Sequence, residues 1–191
     1  MVQSTRTFDP PLSALGGPEV TGVSRHGKFL DLDVSGLHLV VHLARAGWLH
    51  WRNALPPAPP KPGKGPLAVR VHLHNGEGFD LTEQGTRRGL GVYVVRWPSE
   101  VPGIVGLGPD ALEVDQESFA RLMAGRSGQL KGALTDQTLL SGIGNAYSDE
   151  ILHAARLSPF KQTQTLPDVE VRRLYEATRT TLAQWISQLQ D

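Results

Sequence analysis

The stretch from residue 131 to residue 159 reads KGALTDQTLLSGIGNAYSDEILHAARLSP, and it carries the strongest structural signal of the chain. At its centre, Gly142, Ile143 and Gly144 precede Asn145, where a helical pattern begins. The first amides of a helix lack partners within the helix and carry partial positive charge, so an anion binds there favourably. Glycine permits backbone angles and a close approach that a side chain would block. The segment therefore predicts a grip on a phosphate of a nucleic-acid backbone.

The composition indicates a globular protein without thiol chemistry. The chain has 191 residues, of which 39% are hydrophobic and 20% are charged, enough for one large domain or two small ones. Cysteine is absent, which excludes disulfides, thiolate metal sites and cysteine nucleophiles. We expect neither a zinc site nor another cofactor in this chain. The formal net charge is zero, so binding of nucleic acid would depend on local clusters of charge.

The hydropathy of the chain gives no indication of a membrane segment. No apolar run approaches the roughly 18 residues of a membrane span. The N-terminus also lacks the apolar core of a signal peptide. We therefore expect a cytoplasmic, nucleoid-associated protein that does not contact a membrane.

The first half of the chain alternates apolar and polar residues with the period of half-buried strands. We predict strands at residues 28–34, 37–43, 67–74, 78–82 and 92–95, with a hairpin turn at Asn75-Gly76 and a short extended segment around Trp48 and Trp51. Residues 55–66 contain six prolines and predict a loop. These features favour an antiparallel β-sandwich or barrel. The four tryptophans are expected in the core rather than as platforms for stacked bases.

The apolar period becomes helical beyond about residue 112. Asp115 predicts the N-cap of one helix, and Leu130 begins a second, for which Gly142 is the expected stop. A third helix spans Asn145 to Arg156, and Pro167 starts the last, with acidic residues near its positive end. The predicted class is α+β, with a β domain at residues 1–110 and a helical domain at residues 111–191.

The segment that contains the glycines resembles the helix–two-turns–helix (H2TH) of the formamidopyrimidine-DNA glycosylase and endonuclease VIII family. Residues 25–30 and 39–49 look like two further segments of that family, so the resemblance covers nearly the whole chain. It is closest to an actinobacterial-type branch. The matching H2TH residues are Lys131, Leu134, Asp136, Gln137, Gly142, Ile143, Gly144, Asn145, Tyr147, Glu150, Ile151, Leu152 and Pro159.

The resemblance implies a role in base excision repair, as a DNA N-glycosylase and AP lyase. In that family an N-terminal proline amine attacks the sugar and forms a Schiff base. The implied partner is double-stranded DNA with an oxidised base or an abasic site. Lys28 matches a lysine that contacts phosphate near the lesion, and Asn145 matches the asparagine whose helix start holds another phosphate. Contacts on both sides of one nucleotide can hold a kinked backbone while the base rotates out.

The resemblance also implies the remaining DNA-binding residues. Arg45 stands where many members have a methionine that fills the hole left by the flipped base. Arg87 lies in a segment that keeps the family's arginine but lacks its phenylalanine wedge. Asp136 and Glu150 are expected to be structural, either capping helices or pairing with Lys131 and Arg156. The full predicted set is Lys28, Arg45, Arg87, Lys131, Gly142, Gly144 and Asn145.

The chain departs from the family pattern at both ends. It starts with Met1-Val2-Gln3-Ser4 instead of the family's Pro-Glu, and it has no cysteines for the family's zinc finger. We therefore expect a truncated chain, without the family's first helix and strand, that is impaired in catalysis and has no assigned catalytic residue. Lys28 is a remote alternative nucleophile, because a lysine bound to phosphate stays protonated.

Two other interpretations of the sequence stay open. In the first interpretation, the chain is a non-catalytic nucleic-acid or protein-interaction module, since the H2TH also occurs in a ribosomal protein and in an archaeal-type topoisomerase. In the second it is a folded remnant that binds nothing. A salt titration of DNA binding separates these interpretations, because phosphate contacts make affinity fall with salt.

Overall fold

The computed structural model describes residues 10–56, 65–84 and 89–188, which fold as two compact units. The first unit contains the chain up to Val101 apart from His26–Lys28. The second unit contains His26–Lys28 and the chain from Pro102 onward. No helix within the described ranges is both long and apolar enough to cross a membrane.

Two antiparallel sheets form the first unit. One has the strand order β1-β2-β3-β7 and the other has the order β4-β6-β5. Ser35 and Gly36 connect β2 to β3, and both have positive φ (54° and 88°), as a tight hairpin turn requires. The strands in the described residues are β1 Val20–His26, β2 Phe29–Val34, β3 Leu37–His42, β4 Gly47–Arg52, β5 Leu67–His72, β6 Gly78–Glu83 and β7 Gly91–Val95.

The two sheets of the first unit share one apolar core. Leu39 and Val41 contribute from β3, Phe79 and Leu81 from β6, and Val92 from β7. All of these side chains are buried. Each contributes about 1.5–3 kcal/mol of burial free energy, which holds the sheets face to face. The predicted sandwich is therefore confirmed.

The tryptophans lie outside this core, so their predicted burial is wrong. The exposed fractions are 62% for Trp48, 52% for Trp51, 66% for Trp97 and 40% for Trp185. Trp48 and Trp51 belong to β4, an outer strand of its sheet, and Trp97 follows the end of β7. Aromatic residues suit strands in general, so their presence in a strand does not by itself indicate a core position.

Helices build the second unit around a separate core. The larger helices pack through Phe119, Met123, Leu134, Ile151 and Leu174, which are fully buried. This arrangement confirms the predicted α+β class, with the helical part after the sheets. The helices in the described residues are α1 Pro102–Val105, α2 Gln116–Gly125, α3 Leu130–Thr135, α4 Asn145–Ala155 and α5 Asp168–Gln188.

The predicted helix starts agree with the structure, with α5 beginning at Asp168 directly after Pro167, but one predicted stop is wrong. Asp115 caps α2 by accepting a hydrogen bond from the Ser118 amide at 2.7 Å. In contrast, α3 ends at Thr135 rather than near Gly142. The carboxylate of Asp136 accepts hydrogen bonds from the amide and the hydroxyl of Thr138, at 3.0 and 2.7 Å. This local turn competes with helix continuation, as aspartate commonly does.

Candidate nucleic-acid interface

The start of α4 presents backbone amides without acceptors. Gly144 is the N-cap residue, and no side chain caps the helix there. Ser148 donates its amide to the Gly144 carbonyl at 2.9 Å. Within the described ranges, the amides of Asn145, Ala146 and Tyr147 have no hydrogen-bond acceptor. These donors and the helix dipole together form a positive, hydrogen-bonding surface.

The turn that leads into α4 is held by the side chain of Gln137. Its Nε2 atom donates to the carbonyl oxygens of Thr135 and Ile143, at 2.9 and 2.8 Å. Its Oε1 atom accepts from the Gly142 amide at 3.1 Å. Gly142 has φ 104°, a left-handed conformation that favours glycine. The orientation of the α4 start is therefore fixed by three hydrogen bonds to one side chain.

The segment His26–Lys28 belongs to the same unit as this turn. Gly27 has φ 55°, and a β-carbon there would lie 3.3 Å from the Ser141 β-carbon and 3.2 Å from the Leu107 side chain. The angle favours glycine, and a β-carbon would also force the two neighbouring side chains to move by a few tenths of an ångström. Ser141 directly precedes Gly142. Lys28 is thus attached to a backbone segment that packs against the entrance to the turn.

The side chain of Lys28 is exposed, yet its ammonium group has no counter-charge and is crowded by enough protein atoms to lose part of its hydration. Burial lowers the pKa of Lys28 below its ordinary value of 10.5. Within the described residues it forms neither an ion pair nor a hydrogen bond. Burial of an unpaired charge is unfavourable, and a bound anion would relieve it. Lys28 and the α4 start therefore offer two features that favour an anion within one unit.

Lys131 has an acidic partner, but not one of the predicted partners. Its Nζ contacts both carboxylate oxygens of Asp149, at 2.7 and 2.8 Å. Asp136 is the C-cap residue of α3 and pairs with Arg126 at 3.1 Å, so its predicted structural role is confirmed, whereas the predicted alternative of pairing with Lys131 is wrong. An exposed ion pair of this kind contributes less than about 1 kcal/mol, so it can open in favour of another anion. The DNA contact of Lys131 stays a prediction.

The two predicted arginines are not part of the described second unit, because Arg45 belongs to the first unit and Arg87 is not described. Arg45 is exposed in the loop between β3 and β4, within the first unit. Ala44 beside it has φ 54°, and the Gly47 amide donates to the Leu43 carbonyl at 2.9 Å, which closes the loop. Arg87 lies outside the described residues. The structure therefore places Lys28, Lys131 and the Gly142–Asn145 turn in one unit.

Two site features have little signature in the sequence. Gln137 is recognisable as a motif residue, but its three hydrogen bonds to the turn follow from the fold. The tight contact of Gly27 with Ser141 joins residues far apart in the chain. For metals, the described part of the chain holds no group of three or more histidine, aspartate or glutamate residues that could bind an ion.

A β-sandwich unit together with a helical unit that opens α4 through a glycine turn is the architecture of the H2TH DNA glycosylases. Two family profiles agree with this class. The profile of the formamidopyrimidine-DNA glycosylase N-terminal domain matches residues 3–91, and that of the formamidopyrimidine-DNA glycosylase H2TH domain matches residues 105–190. The chain belongs to the formamidopyrimidine-DNA glycosylase family.

Individual relatives support the assignment over most of the chain. A formamidopyrimidine-DNA glycosylase of Moorella thermoacetica is 36% identical over 181 residues, which is 91% of this chain and 62% of that protein. The crystal structure of the MutM (Fpg) protein from Thermus thermophilus has a TM-score of 0.77 at 32% identity, over 97% of this chain and 65% of that one. Lactococcus lactis Fpg, bound to DNA that contains an AP site, has a TM-score of 0.76 at 23% identity, over 90% of this chain and 65% of that one. The chain spans less than two thirds of the length of each.

Proposed function

We propose that this chain binds double-stranded DNA at a damaged nucleotide, as a protein of base excision repair. The chain grips the sugar–phosphate backbone through the start of α4 and through Lys28. Such binding would associate the protein with the nucleoid. The observation that carries the proposal is the joint presence, in one unit, of unpaired amides at Asn145–Tyr147 and an exposed, unpaired ammonium at Lys28.

The chemistry of the two groups favours phosphate among anions. A helix start offers several N–H donors that converge on one site, which suits the multiple oxygens of a phosphate. A desolvated ammonium forms stronger charge-assisted hydrogen bonds than one in water. Phosphate contacts of this kind position a protein on DNA without reading the bases. They suit a protein that must bind a lesion in any sequence context.

Recognition of damage is supported by the family and by the energetics of base extrusion. The Lactococcus lactis relative was crystallised with DNA that contains an AP site. Unstacking a normal nucleotide costs a few kcal/mol, and unstacking an abasic or damaged nucleotide costs less. A protein that holds two phosphates firmly can offset that cost by charge-assisted contacts. We expect the chain to prefer an abasic-site duplex over an undamaged duplex of the same sequence.

A salt titration tests the proposal. Fluorescence anisotropy measures the affinity for labelled duplexes, with and without an abasic-site analogue, from low to moderate salt. We expect log affinity to fall linearly with log salt, with a slope of about −0.9 for each phosphate contact. A folded chain that binds neither duplex at low salt would overturn the proposal.

Charge reversal at two positions separates the site from general electrostatics. Lys28→Glu should weaken binding of both duplexes and reduce the magnitude of the salt slope by about 1. Arg121→Glu is the matched control, because Arg121 is exposed on α2 and pairs with Glu117 one helical turn away. Equal losses for the two variants would show that binding follows net charge rather than this site.

Catalysis is tested by incubating the chain with an abasic duplex and borohydride, which traps an amine–sugar Schiff base. We expect no covalent adduct through Lys28. Lys28 is the described lysine whose pKa burial lowers, but a bound phosphate keeps it protonated and therefore poorly nucleophilic. An adduct that Lys28→Arg abolishes would identify that amine as a nucleophile instead.

A further inference from the structure

The outer face of the three-stranded sheet combines aromatic and cationic side chains. Trp48, His50 and Arg52 alternate along β4, on the side of the strand that points away from the sandwich core. In the next strands, His50 lies opposite Asp80 of β6, and Asp80 lies opposite Arg70 of β5. These five residues define what we name the β4–β6–β5 face. Its groups come from three hydrogen-bonded strands, which set the spacing of their backbones.

One buried carboxylate organises the cations of this face. Asp80 is 4% exposed, and Arg70 donates two hydrogen bonds to it, at 2.6 and 2.9 Å. The hydrogen bonds from Arg70 hold the pKa of Asp80 below its ordinary value. Both carboxylate oxygens are therefore already satisfied by a single guanidinium group.

Arg52 is left as an excess positive charge on the same face. Its Nε lies 3.7 Å from Asp80, beyond hydrogen-bonding distance, and its side chain is 55% exposed. Asp80 thus attracts this guanidinium without consuming its donors. The face presents two arginines to one carboxylate, so its charge complements an anion.

Trp48 adds an aromatic surface beside this charge. Its ring and that of His50 are stacked, with centroids 6.5 Å apart and planes inclined by 21°. The indole nevertheless remains 62% exposed. A large exposed aromatic that is held in a fixed orientation is suited to stacking with a flat ligand. Trp48 and Arg52 are four residues apart on one strand, about 13 Å.

We propose that the β4–β6–β5 face binds single-stranded DNA, with a base stacked on Trp48 and a phosphate held by Arg52. Surfaces that bind single strands without sequence preference combine aromatic platforms with arginines in this way. An acidic peptide would use the arginine but would leave the stacked Trp48–His50 pair without a role. The proposal concerns the first unit and does not depend on the α4 site of the second unit.

Binding to a labelled oligothymidylate of about 12 nucleotides, measured by fluorescence anisotropy, tests the proposal. Trp48→Ala should weaken binding by about 5- to 150-fold, which corresponds to the loss of one stacked base. Trp48→Phe keeps an aromatic surface and should retain most of the affinity. Arg52→Glu should reduce the magnitude of the salt slope by about 0.7, the value for one phosphate of a single strand.

Two matched controls are available outside this face. Trp97 is 66% exposed and follows β7, and Arg96 beside it is also exposed. Trp97→Ala and Arg96→Glu should leave the affinity for the oligothymidylate unchanged. Equal effects of Trp48→Ala and Trp97→Ala would overturn the proposal.

Two further measurements distinguish other occupants and the other site. Lys28→Glu should leave oligothymidylate binding intact while it weakens duplex binding, and Trp48→Ala should do the reverse. Loss of oligothymidylate binding in Lys28→Glu alone would assign the single strand to the α4 site and overturn the proposal. Sedimentation tests whether the face is instead a contact between copies of the chain. Self-association that Trp48→Ala abolishes, together with no oligothymidylate binding by the wild type, would overturn the proposal.

Discussion

Replacement of Gly142 by alanine tests how the turn before α4 is built. Gly142 has φ 104°, where an alanine β-carbon is strained by about 1–3 kcal/mol. The amide of Gly142 also donates to Gln137 at 3.1 Å, a hydrogen bond that contributes about 1 kcal/mol. We expect Gly142→Ala to lower the free energy of unfolding by about 2 kcal/mol. Urea denaturation measures this loss as a lower midpoint with an unchanged slope.

Gly144→Ala is the matched substitution two residues later. Gly144 has φ −110°, and nothing in the described structure lies within 4 Å of a β-carbon placed there. We therefore expect a change in unfolding free energy of less than about 1 kcal/mol, as for alanine at an N-cap position. The added methyl group would instead lie beside the free amides of α4 and obstruct a phosphate. Affinity for the abasic-site duplex should fall although the fold is retained.

Gly132→Ala in α3 controls for the chemical change itself. A β-carbon at Gly132 also meets open space, so the substitution should stabilise the helix by about 0.5–1 kcal/mol and leave DNA affinity unchanged. Either of two results would refute this reasoning. The first is a Gly142→Ala variant as stable as the wild type, and the second is a Gly144→Ala variant that binds the duplex as tightly as Gly132→Ala does.

Four further outcomes are expected. Lys28→Met should leave the unfolding free energy unchanged or raise it, because it removes an unpaired charge whose pKa is lowered by desolvation. Anisotropy should show weaker duplex binding, and a loss of stability would contradict this account. Duplex affinity should fall with rising pH already below the ordinary lysine pKa of 10.5, because the pKa of Lys28 in the free protein is lowered and its ammonium group loses its proton at a lower pH. Lys28→Arg should flatten this pH profile, because arginine stays protonated. Asp80→Asn should destabilise the protein by about 2 kcal/mol at neutral pH, because it weakens the contact with Arg70. Chemical denaturation should show this difference shrink as the pH falls below 3.8 towards the lowered pKa of Asp80 in the folded protein. Gln137→Ala should weaken duplex binding by misplacing the α4 start, and native affinity in this variant would show that the three hydrogen bonds to the turn are dispensable.

The sheets were predictable where one face of a strand is buried. The strands β2 and β3 alternate clearly, and the structure places them at Phe29–Val34 and Leu37–His42. In contrast, β1 at Val20–His26 gives no such signal, because nearly all of its residues are exposed. Its sequence, VTGVSRH, lacks the apolar alternation that burial would impose.

The glycine turn of the site was predictable, but its surroundings were not. The unpaired amides follow from the start of α4, which the sequence marks through Gly144 and Asn145. The position of Lys28 beside the entrance to the turn follows from Gly27 packing against Ser141, a contact between distant parts of the chain. The outward position of Trp48 depends on which side of β4 faces the core, and local propensity carries no information about that.

Amide NMR of the intact chain, titrated with an abasic-site duplex at low salt, tests the central claim most directly. The account predicts that the amide signals of Asn145, Ala146 and Tyr147 shift together and saturate with the binding curve, because these N–H groups gain a phosphate acceptor. Amide signals at the start of α4 that stay in place while the duplex binds would contradict the account.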